Sequence, residues 1–141
     1  MDESIRQEML GRTAYKSGFL KMVGVKLIDV GEGWTLGEME LNENHLNPIG
    51  STHGGVLFTI GDNMGGMAIH TLTGTGCTTA SASITYMNAS YGAGKLIARG
   101  KVLKRGKRMA MAETEITDET GRLLAKFSGT YMILGKDGKA V

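Results

Sequence analysis

The spacing of apolar and polar positions changes period several times along the chain, and each change marks an element. Residues 4–20 (SIRQEMLGRTAYKSGFL) read as a short helix, with Ser4 as cap, Glu8 in the first turn and Gly11 as a weak point. Residues 25–30 and 34–42 alternate and read as two strands around the turn Gly31-Glu32-Gly33. Residues 43–53 hold the only proline, Pro48, and read as a loop. From Gly54 to about Leu72 the period becomes helical, with Val56, Ile60, Met64, Met67, Ala68, Ile69 and Leu72 in phase. Leu57 and Phe58 carry the apolar surface nearly all round, which predicts a buried helix. After the turn TGTG, four β-rich stretches follow at 78–88, 95–105, 108–117 and 122–134. They are separated by YGAGK, RGK and DETG.

Helix, two strands, one long helix and four strands is an α+β order, with an antiparallel sheet and a single central helix. A chain of 141 residues suits one domain, residues 1–141, whose first 22 residues are the N-terminal helical segment. One sheet around one apolar helix leaves a free edge, which favours pairing with a second copy.

Composition narrows the class. The formal charge of +2 is small and the basic residues are scattered, so nucleic acid is not an expected partner. One cysteine, Cys77, excludes an internal disulfide framework and fits a reducing, cytoplasmic compartment. The first residues, MDESIRQEML, lack the apolar stretch of a signal peptide, and no uncharged run reaches membrane-helix length. Glycine (22 residues) and methionine (10 residues) are abundant. Glycine permits close backbone approach, and methionine suits either core filling or a flexible apolar ligand.

The candidate chemistry lies in NPIGSTHGGVLFTIGDNMGG, residues 47–66. His53-Gly54-Gly55 opens the long helix, where backbone N–H groups have no intrahelical acceptor and the helix carries partial positive charge. That arrangement suits a carbonyl oxygen that becomes negative, with Asn47 and His53 able to add hydrogen bonds. A plain glycine-rich helix entry is the competing reading. Asp62 interrupts the apolar stretch, where an unpaired carboxylate is costly. It stands eight residues beyond Gly54, about 12 Å along the axis, whereas reacting groups must lie within about 3.5 Å. Two such helices packed antiparallel across a two-fold axis would bring one chain's acid to the other's helix start. Gly61, Gly65 and Gly66 would permit that approach. Otherwise Asp62 is satisfied locally, for example by Thr59.

The motif N-x-x-G-x-x-H-G-G, with an aspartate nine residues after the histidine, resembles the hot-dog-fold acyl-CoA thioesterases. It is most similar to the branch of the phenylacetate-pathway thioesterase and the small mammalian thioesterase-superfamily enzymes. The resemblance runs from about Gly24 to Leu134 and includes SITYMNAS, VLKRGKR and GRLLAKFSGTYMIL. It implies a hot-dog homodimer, usually paired into a tetramer, with sites at the dimer interface and no cofactor beyond the coenzyme A of the substrate. It implies Asp62 as nucleophile or general base and the Gly54 N–H as the donor that polarises the thioester carbonyl. Asn47 and His53 would position thioester and water. Thr79 would hold the water or the acid, with Ser81 and Ser83 as nearby alternatives. Gly55, Phe58, Gly66, Tyr86 and Met87 are expected at the substrate, together with Met64 and Met67 along the acyl group. Lys104, Arg105, Lys107 and Arg108 surround a turn that suits nucleotide phosphates, and a solvated hairpin tip explains them equally well.

Other chemistry is set aside. Cys77 and His70 lack a third partner for nucleophilic catalysis. His45, His53 and His70 lack metal-ligand spacing, so no metal is expected. A non-catalytic acyl-CoA binder remains the alternative function, although a binder has no need of an acid beside the thioester. The acyl group itself is left open.

Overall fold

The computed structural model describes residues 1–12, 17–91 and 94–140. Six strands form one antiparallel sheet in the order β1-β2-β4-β5-β6-β3. They are β1 (Lys26–Gly31), β2 (Trp34–Glu40), β3 (Cys77–Tyr86), β4 (Lys95–Arg105), β5 (Met109–Asp118) and β6 (Leu123–Ile133). Helix α3 (Gly54–Thr73) lies across the sheet and touches every strand. This is the hot-dog arrangement, a sheet curled around one long helix.

Helix and sheet meet without spacers. Leu57, Ile60, Gly61, Met64, Gly65, Ala68 and Ile69 are the buried face of α3. A Cβ on Gly61 would come within 2.8 Å of Phe127 Cβ, so only glycine allows this closeness. On the sheet side, Gly37 and Gly100 leave room for Met64, which is fully buried. Met64 therefore fills the core and does not line a pocket, contrary to expectation. The helix is also not buried all round: Asp62, Asn63, Gly66, Met67 and His70 remain only partly covered. Its apolar surface is wider than the contact one sheet provides.

The N-terminal segment differs from a single helix over 4–20. Helix α1 covers Glu3–Arg12 and α2 covers Gly18–Val23, while residues 13–16 of the expected helix lie outside the described residues. Asp2, not Ser4, caps α1: its carboxylate accepts the Ser4 N–H at 2.7 Å. Ser17 starts α2 afresh by accepting the Leu20 N–H, and Gly24 ends it in the left-handed region at φ 97°. Side-chain acceptors at both starts outcompete helix continuity. Met9 and an Arg6–Asp29 ion pair at 2.6 Å fix α1 to β1. The expected loop at 43–53 contains one 3-10 turn, Glu43–His45. His45 is buried there, accepting the Asn42 N–H and pairing with the Val23 carbonyl at 2.6 Å, which makes it structural. Two residues of the expected YGAGK turn, 92 and 93, lie outside the described residues.

Strand β3 changes face midway. Cys77 and Thr79 pair with Ile133 and Tyr131, on the helix side of the sheet. The register then slips between Thr79 and Ser81, so Ala80 is the extra residue of a bulge. Beyond it Ala82, Ile84 and Tyr86 face the helix, opposite Gly129, Phe127 and Ala125. Thr79 and Tyr86 are seven apart and would point to opposite faces of a regular strand. The bulge puts both beside α3.

Candidate functional site

Two cavities open along α3. The first, of about 210 Å³, is lined by Asp62, Gly66, Met67, His70, Cys77 and Thr79, among others. The second, of about 350 Å³, lies at the helix start between Asn47, Thr52, Gly54, Tyr86 and Met87. The acid and the helix start are thus separate in one protomer.

At the first cavity, Thr79 Oγ1 donates to Asp62 Oδ1 at 2.6 Å. Thr59, the local hydroxyl considered for that acid, instead donates to the Gly55 carbonyl. The backbone of Asp62 is held as well. Tyr131 Oη donates to the Asp62 carbonyl at 2.8 Å, Thr114 Oγ1 to Gly61 at 2.8 Å and Thr35 Oγ1 to Met64 at 2.9 Å. All three hydroxyl residues are buried. A buried hydroxyl without a partner is costly, so each of these bonds resists displacement of the helix. Burial and the charge of Asp62 raise the Tyr131 phenol well above its ordinary range, which keeps it a donor. The same two causes push the Cys77 thiol up to about 11. A thiol so raised is a poor nucleophile at neutral pH.

At the second cavity, His53 caps α3 by accepting the Gly55 N–H on Nδ1 at 2.8 Å. That assigns the proton of the neutral ring to Nε2. The Gly54 N–H lies in the first turn, where the helix offers no acceptor. Tyr86 Oη donates to the Gly54 carbonyl at 2.7 Å, and its ring occupies the space a Cβ at Gly54 would need. Asn47 folds its own loop: Oδ1 accepts from Ile49 and Ser51, and Nδ2 donates to Ser51 Oγ at 2.7 Å. One Nδ2 hydrogen remains beyond these bonds.

The other expected residues distribute unevenly. Gly66 joins Asp62, and Tyr86 and Met87 join Gly54. Phe58 packs edge-on against Phe127 at 5.1 Å, outside both cavities, and Gly55 is tied to His53. Ser81 and Ser83 pair with Thr130 and Ser128 on the outer face, away from Asp62. Lys104, Arg105, Lys107 and Arg108 are exposed at the β4–β5 hairpin and enter no ion pair among the described residues. Tyr131, Asn63 and His70 were not expected at the acid. Tyr131 gave no local signal, since its bond spans 69 positions.

A sheet curled around a glycine-opened central helix places the chain among the hot-dog proteins of the thioesterase class. Residues 49–125 match the model of the Thioesterase superfamily, and the chain belongs to that family. Human acyl-coenzyme A thioesterase 13 is 31% identical over 129 residues, covering 89% of this chain and 91% of that protein. Acyl-coenzyme A thioesterase PaaI of Escherichia coli is 26% identical over 115 residues, covering 82% and 81%. The crystal structure of zebrafish thioesterase superfamily member 2 superposes with a TM-score of 0.80 at 29% identity, covering 94% of this chain and 97% of that one. Among the described residues no helix is long and apolar enough to cross a membrane.

Proposed function

We propose that the protein hydrolyses acyl-coenzyme A thioesters at sites shared between two copies of the chain. The carrying observation is the pair of separate cavities: Asp62 with Thr79 in one, Gly54 in the other. Neither half completes a hydrolytic site alone. An antiparallel second copy would set its helix start against Asp62. Support comes from β3, which is the sheet's outer edge and is mostly exposed from Thr78 to Tyr86. An unpaired edge of small residues suits pairing with the same strand of a second copy. Two such dimers can meet through the outer sheet face, where Trp34, Leu103, Met109, Met111 and Met132 are exposed. The single thiol fits a cytoplasmic location.

In this reading Asp62, oriented by Thr79, takes a proton from water as the water oxygen attacks the thioester carbon. The carbonyl oxygen becomes an oxyanion and accepts the Gly54 N–H of the second copy. His53 and the free Nδ2 hydrogen of Asn47 border that position. Collapse breaks the C–S bond, and the sulfur takes the proton from Asp62, giving free acid and coenzyme A. The same carboxylate could instead attack carbon directly and form an anhydride that water cleaves. The exposed basic hairpin would meet the nucleotide phosphates. Tyr86 and Met87 would line the substrate channel at the helix start. A non-catalytic binder is disfavoured by the Asp62–Thr79 pair, which binding alone does not require.

The test is thiol release from a panel of acyl-CoA esters by wild type and Asp62→Asn. Hydrolysis lost by at least about a hundredfold in the variant is expected. Wild type that binds the esters without hydrolysing any would establish the binder.

A further inference from the structure

The cavity that holds Asp62 is lined from α3 by Asp62, Asn63, Gly66, Met67 and His70 and from the sheet by Cys77, Thr79 and Tyr131. In helix order Asp62, bonded to Thr79, comes first, Gly66 beside Cys77 next, and His70 last. Positions 62, 66 and 70 are four apart and lie along one face of α3. His70 therefore stands about 12 Å from Asp62 along the axis. Gly66 contributes no side chain, and the space a Cβ there would take is bordered by the Tyr131 ring at 3.4 Å and Cys77 Sγ at 3.5 Å. Among the described residues neither the His70 ring nor the Asn63 amide has a side-chain hydrogen bond, although both line the cavity.

The reaction described above uses neither the His70 ring nor the Asn63 amide. An entirely apolar acyl chain would leave a partly covered imidazole facing hydrocarbon, an arrangement that costs free energy. A chain carrying oxygen at its distal end would satisfy it. We propose that His70 is a specificity-determining residue that selects acyl groups bearing a distal hydroxyl or carboxylate oxygen. The proposal rests on the thioesterase reading and names its substrate class. The methylene part of such a chain runs over Gly66 between Met67 and Cys77, while the distal oxygen bonds to the imidazole. Either protonation state of the ring can serve, since a neutral imidazole donates from one nitrogen and a protonated one from both.

The experiment compares straight-chain acyl-CoA esters of four to eight carbons in three forms: plain, ω-hydroxy and ω-carboxy. Wild type, His70→Leu and His70→Gln are assayed on all of them. Wild type is expected to show a higher kcat/KM for the oxygen-bearing ester at one chain length. His70→Leu should cut that preference about tenfold while keeping its rate on the plain ester, and His70→Gln should retain part of it. Preference for hydroxyl alone, or for carboxylate as well, separates the two oxygen sources. The same preference in wild type and His70→Leu, or none at any length in wild type, overturns the proposal.

Binding of matching non-hydrolysable thioethers is measured in parallel. If no ester is hydrolysed yet the thioethers show the His70-dependent preference, selection stands and the hydrolase reading falls. Hydrolysis without preference has the opposite meaning.

Discussion

Thr79 and Tyr131 face each other as register partners across β3 and β6, and both hold Asp62. Thr79 bonds the carboxylate and Tyr131 the backbone carbonyl of the same residue. One cross-strand pair therefore fixes both where the acid is and how it points. Removing the hydroxyl in Tyr131→Phe should lower stability by about 1 kcal/mol, because the carbonyl keeps its helical bond. It should also lower kcat several-fold at temperatures where the variant is fully folded. Thermal unfolding and steady-state kinetics on the same sample check both effects, and a fall in stability alone would make Tyr131 merely structural.

Thr79→Ala should cost about tenfold or more in kcat with little change in KM, since hydrogen bonds to charged groups are the stronger kind. Thr79→Ser should recover most of the loss because it keeps the hydroxyl. Kinetics of the three proteins at saturating acyl-CoA decide the matter.

Sharing of sites between copies can be tested by complementation. His53 already has φ −60° and ψ 134°, the conformation a following proline demands. Gly54→Pro therefore deletes the N–H at a position where helices accept proline. A Cβ there would come to 2.9 Å from the Tyr86 hydroxyl and 3.0 Å from its ring, so Tyr86 must move aside. Gly54→Pro and Asp62→Asn should each be inactive alone. Co-expressed, they should recover roughly a quarter of wild-type activity, because a mixed dimer keeps one intact site. No recovery in mixed dimers verified by mass would mean that each chain is catalytically separate.

Gly61→Ala should destabilise the fold by about 1–3 kcal/mol, the usual cost of overpacking. Its Cβ would meet Phe127 Cβ at 2.8 Å in the middle of the core. Chemical denaturation measures this, and an unchanged midpoint would show that helix and sheet can separate at low cost.

The Cys77 thiol should resist alkylation at pH 8, because burial and Asp62 push it from 9.0 up to about 11. The sign for stability follows from linkage. The folded state holds this proton where the unfolded chain releases it, so stability is full below about pH 9 and falls as pH rises towards 11. Denaturation midpoints across that interval, compared with Cys77→Ala, isolate the contribution. Alkylation as fast as that of an unfolded thiol would contradict it.

The central helix and the strands were legible because their periods are sustained: β4 was expected at 95–105 and is found at Lys95–Arg105. The motif around Gly54 and Asp62 was legible because its parts lie close together in sequence. The N-terminal segment was misread as one helix because Asp2 and Ser17 act as caps through side-chain bonds that a periodic pattern does not register. Met64 was misplaced for a related reason. Periodicity says that a residue lies on an apolar helix but not which side the sheet takes, and that is decided by Gly37 and Gly100, far away in sequence. The Tyr131 contribution depends on long-range register in the same way.

The bulge at Ala80 has an arithmetic consequence. Thr79 serves the acid and Tyr86 serves the helix start only while the number of residues between them keeps its parity relative to the sheet. Substitutions in this segment leave that count alone, so the strand can vary in composition. Gain of one residue, or loss of one with the bulge kept, would turn one of the two side chains to the outer face and away from α3, whereas loss of Ala80 removes the bulge itself and leaves both on the inner face. A change of one residue is thus admitted only where a bulge is lost or added with it.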